Sequence, residues 1–120
     1  MTDAWQNHGI DENHEYAILT DEIYKGWSDL TAKEYKQLKG LTKENLRENM
    51  TRTEQVLSSL AETVTLDLIN SNNPQGLEDN KKIARDGAGV ARNARKETEK
   101  LLGKSAVTSD NAENNNTIRN

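Results

Sequence analysis

Apolar residues recur along this chain at three- and four-residue steps, the spacing of helices that each bury one face. From Asp11 to about Gly26 an acidic segment sets Tyr16, Leu19, Ile23 and, just beyond, Trp27 on one stripe. Strand competes over Tyr16 to Thr20, since Tyr, Ile and Thr favour sheets, but no second strong strand stands nearby to pair with it. Helix is the reading. Thr31 with Glu34 three places on has capping-box spacing and predicts a short helix through Tyr35 and Leu38 that stops at Gly40. Thr42 is read as the cap of a further short turn of helix carrying Leu46 and Met50.

Thr51 and Glu54 repeat the capping-box spacing. Val56, Leu57, Leu60, Val64, Leu68 and Ile69 follow at helical steps and predict a helix to about Asn70, where the run Asn70 to Gly76 supplies a polar stop and a turn. The β-branched Thr51, Thr53, Thr63 and Thr65 lower its intrinsic propensity, so packing must hold it. The last helix is predicted from about Leu77 to Leu102, ended by Gly103. Its least charged face is Ile83, Ala84, Gly87, Ala88, Val90, Ala91 and Ala94. Gly87 and Gly89 each weaken a helix by roughly 1 kcal/mol relative to Ala, so this small-residue seam is read as room for a neighbouring helix, with a kink at Gly87 as the alternative.

Composition narrows the fold further. Of 120 residues only 32% are hydrophobic, Phe and Cys are absent, and the aromatics are two Trp and three Tyr, so aliphatic side chains must build most of the interior. Without cysteine there is no disulfide framework, thiolate metal site or Cys nucleophile. The longest uninterrupted apolar run, Ala17 to Leu19, is far short of the roughly 20 residues of a membrane span. Met1 to Trp5 has neither the basic cluster nor the apolar stretch of an export signal, and a cytoplasmic location is expected. The tail from 104 onwards, with five Asn between Asn111 and Asn120, has little to bury and is expected to be disordered or loosely attached.

Charge is distributed unevenly. Residues 1–30 hold seven acids (Asp3, Asp11, Glu12, Glu15, Asp21, Glu22, Asp29) and one base, Lys25, whereas residues 77–101 hold seven bases against five acids. These opposite signs pair within one fold, pair across a subunit contact, or stand as two solvated helix faces. The candidate acidic patch is Asp11, Glu12, Glu15 and Glu22; the candidate basic face is Arg85, Arg92 and Arg95, with Lys96 beside them. Acids interleave on that basic face and no aromatic platform accompanies it. Together with the net charge of −4, this makes direct nucleic-acid binding by the segment an unfavoured expectation.

Catalytic patterns do not emerge. His8 and His14 are six apart, on different faces of any helix, and no further ligands cluster with them, so no metal site is expected. Neither histidine lies in a triad setting. The run Gly87-Ala88-Gly89 falls inside a helix pattern and lacks the Lys-Ser or Lys-Thr of a phosphate loop. The expectation is a protein that is not an enzyme and takes no cofactor. Trp5, Tyr24, Trp27 and Tyr35, beside the acidic patch, are read either as core or a helix-docking corner or as exposed anchors for a partner, with Tyr24, Trp27 and Tyr35 the candidate contacts, and Gly87 with Ala91 as a close-packing seam.

A resemblance rests on separate blocks in order: Tyr16-Ala17-Ile18-Leu19, Tyr24-Lys25-Gly26-Trp27, Lys39-Gly40-Leu41, Asn49-Met50-Thr51-Arg52-Thr53-Glu54 with Leu60-Ala61, and Leu102-Gly103-Lys104-Ser105-Ala106-Val107. Over roughly residues 14 to 112 the chain resembles the C-terminal region of the DNA-damage-inducible protein D family, which also follows BRO-type N-terminal domains in phage antirepressor-like proteins. The resemblance implies a DNA-binding BRO-like domain ahead of this region, so that the chain is a free-standing form or a part of a larger protein. It further implies proteins induced by DNA damage or borne on phages and mobile elements, which restrain recombinase action on single strands or relieve repression. It brings no catalytic residues.

The expected fold is all-α, a compact bundle of four or five helices over 11–103, with a flexible arm at 1–10 and a disordered polar tail at 104–120. The helix from Thr51 to Asn70 is placed at its centre. The expected function is a non-enzymatic regulatory interaction module that binds a protein partner, a recombinase or repressor, and associates with itself as a homo-oligomer, first of all a dimer. The alternative is an acidic inhibitor that imitates nucleic acid toward a host nuclease, recombinase or defence protein.

Overall fold

The computed structural model describes residues 2–10 and 13–110. Among these the chain forms five α-helices and no strand: α1 (Thr2–Gln6), α2 (Asn13–Ser28), α3 (Ala32–Leu38), α4 (Arg52–Asn72) and α5 (Gly76–Leu102), with a single 3-10 turn at Arg47–Asn49. The all-α bundle is therefore as expected. Both capping boxes close: the Thr31 hydroxyl accepts from the Glu34 N–H while Glu34 returns to the Thr31 N–H, and Thr51 and Glu54 repeat the exchange at the head of α4. The α3 helix ends as predicted at Gly40, whose N–H donates to Gln37 O while the Leu41 N–H reaches Lys36 O.

The centre of the bundle is α5, not α4. It packs along both α2 and α4, which touch one another far less. Small side chains make this double contact feasible. Gly87 lies against the backbone of Thr65 on α4, and the next residue, Ala88, lies against Gly26 on α2. The stripe Ala84, Gly87, Ala88 and Ala91 is buried throughout, along an α5 that runs unbroken.

On α4 the buried face is Glu54, Leu57, Ser58, Ala61, Thr65 and Ile69. That corrects the predicted stripe, because Val56 is 56% exposed and Leu60, Val64 and Leu68 are only partly covered. The reason is steric: where two helices approach this closely the facing positions must be small, so Ala61 and Thr65 take the seam and the larger aliphatics flank it.

Three further expectations change. Residues 2–10 are not a loose arm, since α1 brings Trp5 to 2% exposure, stacked on Tyr16 at 6.2 Å between ring centroids, and Ile10 is fully buried. His8 O accepts from the Gly76 N–H at 3.0 Å and from Asn80 Nδ2, which fastens the arm to the α4–α5 turn. Thr42 caps no helix: its N–H and hydroxyl both donate to Glu44 Oε1. Only the 3-10 turn is helical there. The buried Leu46 and Met50 flank it, and Met50 must leave in extended geometry to deliver Thr51 to the start of α4. Finally, residues 104–110, expected to be loose, pack onto the bundle with Ala106 buried. The rest of the predicted tail, 111–120, lies outside the described residues.

Candidate interaction site

The residues singled out from the sequence fall into two groups that the fold treats differently. Trp27, Tyr35, Gly87 and Ala91 are buried within the chain: of the readings offered, the two aromatics take that of core, and Gly87 and Ala91 that of a close-packing seam. Trp27 and Tyr35 meet at 5.9 Å between centroids, and Tyr24 meets the edge of Tyr35 at 6.1 Å. Tyr24 is half-buried, and burial raises its phenol pKa above the usual value. The aromatic cluster is thus the joint between α2 and α3.

The charged ends of the sequence find each other within one chain. Arg85 on α5 forks onto Glu22 of α2, with Nε to Oε2 at 3.1 Å. Arg92 binds Asp29, and Arg95 donates to Asp29 Oδ2 at 3.1 Å and to Trp27 O at 2.9 Å. All three residues of the predicted basic face are therefore committed to α2. Glu22 is likewise taken from the acidic patch, Glu15 is half-buried, and Asp11 and Glu12 lie outside the described residues.

Asp29 closes α2 in the left-handed region at φ 70°, and its hydrogen bond from Arg92 holds the carboxyl below its ordinary pKa. A depressed folded pKa gives stability that is present above the unfolded value and lost as pH falls through the folded one. Asn tolerates the same backbone, so Asp29→Asn isolates the charge. The substitution is expected to lower stability by less than about 1 kcal/mol at neutral pH, the pair being half in solvent. Urea titrations should show the difference from wild type vanishing in acid.

The node that sequence reasoning missed lies where α3, α4 and the C-terminal segment converge. Lys39 and Glu54 form an ion pair at 2.7 Å with both side chains at zero exposure. Tyr35, one turn before Lys39 on α3, donates its hydroxyl to Glu54 Oε2, and burial with that contact pushes the phenol pKa far up. Glu54 also accepts from the Thr51 N–H at 2.9 Å and from the Thr108 N–H at 3.2 Å. The Lys39 ammonium has three acceptors: Glu54 Oε1, Thr108 O at 2.7 Å and Asp110 O.

Two buried charges thus grip the main chain of residues 108–110. A cleft of about 280 Å³ opens beside the grip, lined by Thr51, Arg52, Thr53, Leu102 and the segment itself. The signal for this node was faint. It consisted of Lys39 standing four places after Tyr35 on the inward face of α3 while Leu38 turns out.

Among the described residues no group of three or more His, Cys, Asp or Glu side chains is arranged to hold a metal, and no helix is long and apolar enough to cross a membrane. Compared with known protein families, residues 1–115 match the model of the DinD C-terminal domain. The chain belongs to that family. The DinD match takes in every block from Tyr16 to Val107 on which the resemblance rests, and it reaches back over α1 and forward over the segment that Lys39 and Glu54 hold. No curated protein and no solved structure matches the chain. As a DinD C-terminal domain it is a domain of a DNA-damage-inducible protein.

Proposed function

We propose that this domain is a non-enzymatic regulatory module of the DNA-damage response that acts by protein–protein contact on a recombinase or repressor and associates with itself. The observation that carries the reading is the adjacent pair Leu101 and Leu102 at the end of α5, 87% and 55% exposed, Leu101 being the most exposed large hydrophobic among the described residues. Adjacent exposed leucines beside a polar cleft have the make-up of a contact core with its rim. The rival reading, an acidic imitation of nucleic acid, loses Glu22 and Asp29, which arginines of α5 already neutralise.

Light scattering coupled to size exclusion tests the reading. The full chain is expected to run as a dimer at tens of micromolar, and the double variant Leu101→Glu, Leu102→Glu as a monomer with an unchanged melting temperature. Wild type is expected to slow strand exchange by a purified recombinase or to release a purified repressor from its operator. A wild-type chain that stays monomeric through the micromolar range removes self-association, and one that leaves both assays untouched removes the regulatory role.

A further inference from the structure

The segment 104–110 is seated in the bundle through its backbone hydrogen bonds together with two small apolar side chains. Thr108 O and Asp110 O are held by the Lys39 ammonium, the Thr108 N–H by Glu54, and the Ala106 N–H by Glu99 Oε2 at 2.8 Å. Of its side chains Ala106 is buried and Val107 packs partly covered against the core. A fully buried ion pair is an expensive way to gain stability, because desolvation offsets most of its attraction and an apolar pair of similar volume often does as well. What it does well is read fixed donors and acceptors. Lys39 and Glu54 therefore form a receptor for main-chain groups, and the occupant shown to fit them is the backbone of residues 108–110 of this sequence.

The receptor and its occupant are joined by a short hinge. Three residues, Gly103 to Ser105, connect the end of α5 to the anchored Ala106, and all three are exposed. The chain reverses at Gly103, which holds φ 72° with no atom within 4 Å of the position a Cβ would take. Returning this one residue to helical angles prolongs α5 and carries the segment away from its own groove. A second copy then offers the same contacts. Short hinges of this kind invite exchange between identical chains.

We propose that the domain self-associates by exchanging residues 104–110, the segment of each copy filling the Lys39–Glu54 groove of the other. This rests on the self-association proposed for the domain and names its joint. Because each groove receives the backbone contacts it already makes within one chain, the balance between closed monomer and exchanged dimer is set by the hinge, by concentration and by whatever new surface the open form covers. Leu101 and Leu102 immediately precede the hinge. In the exchanged pair the two hinges cross, which places these four leucines together and gives their exposure in the monomer a purpose.

The test uses full-length chains and light scattering, with far-UV circular dichroism to verify folding. Gly103→Ala puts a Cβ where left-handed angles are disfavoured and is expected to raise the dimer fraction by roughly threefold or more at a fixed concentration below the midpoint. Ala106→Asp spoils the segment and Lys39→Met spoils the groove, and each alone is expected to be monomeric. Mixed, they should form a one-to-one pair, the intact segment of one entering the intact groove of the other. Thr108→Pro, which removes the N–H that Glu54 accepts, stands in for Ala106→Asp should that variant lose its helices. Dimers that persist in both single variants, or a mixture that stays monomeric while wild type dimerises, overturn the exchange and leave self-association standing. Monomers throughout, Gly103→Ala included, overturn both.

Discussion

Glu54→Ala is expected to be the most damaging single substitution outside the aromatic core, lowering the free energy of unfolding by about 3–5 kcal/mol. Its carboxylate accepts from Lys39, Tyr35 and the backbone N–H groups of Thr51 and Thr108, so its loss removes the counter-charge of a buried ammonium and the acceptor of three further donors at once. The head of α4 loses half of its capping box as well. Lys39→Met should cost less, because the carboxylate it leaves behind keeps Tyr35 and both N–H groups as partners. Urea denaturation of the two single variants and of Lys39→Met combined with Glu54→Leu provides the check. The double variant should be more stable than Glu54→Ala, and a Glu54→Ala chain within about 1 kcal/mol of wild type would show that the node is wet rather than buried.

Gly87→Ala and Gly89→Ala should move stability in opposite directions, although the two glycines are two residues apart on one helix. A Cβ at Gly87 would stand 2.2 Å from Thr65 Oγ1, 2.7 Å from Thr65 N and 2.8 Å from Thr65 Cα. The hydroxyl can rotate away, but the backbone of α4 cannot, so the two helices must separate. Overpacking of this kind costs about 1–3 kcal/mol and occasionally more, against a helix-propensity gain of roughly 1. With two backbone atoms in the way, a net loss of about 2 kcal/mol is expected, or roughly 8 °C in melting temperature for a domain of this size. At Gly89 a Cβ meets nothing within 4 Å. There the propensity gain stands alone, and the midpoint should rise by a few degrees. Thermal melts of the two variants decide it, and equal shifts would mean that the α4–α5 seam is looser than its geometry.

What the sequence made legible is what leaves a local or periodic trace. Thr31 with Glu34 and Thr51 with Glu54 announce two helix starts because a capping box is complete within four residues. The small face of α5 is legible because glycine and alanine repeated at helical spacing weaken a lone helix and benefit it only where a neighbour comes close. The acidic first third and the arginines of α5 do pair, and sequence offered that as one of several outcomes without a way to choose.

The rest was hidden for physical reasons. The five-residue α1 is too short to show a period, so that Trp5 was legible as an aromatic of the core but not the helix that carries it. The polar attachment of segment 104–110 is through its own carbonyls and N–H groups, which every residue has, and its two apolar anchors, Ala106 and Val107, are too few to show a period. Glu54 reads as a local cap, and only the fold reveals that the same carboxylate faces Lys39, Tyr35 and Thr108. Tyr35 and Trp27 were legible as a cluster, but the side of the surface on which they lay was set by how α2 and α3 meet.

The burial of both indoles has an optical consequence. Trp5 and Trp27 are the only tryptophans, each nearly removed from water, one on the N-terminal helix and the other at the joint of α2 with α3. Lifting the first helix wets one fluorophore and leaves the other dry, whereas global unfolding wets both. The molecule therefore carries two built-in emission reporters, and a two-step red shift would separate detachment of its first ten residues from collapse of the bundle without any added dye.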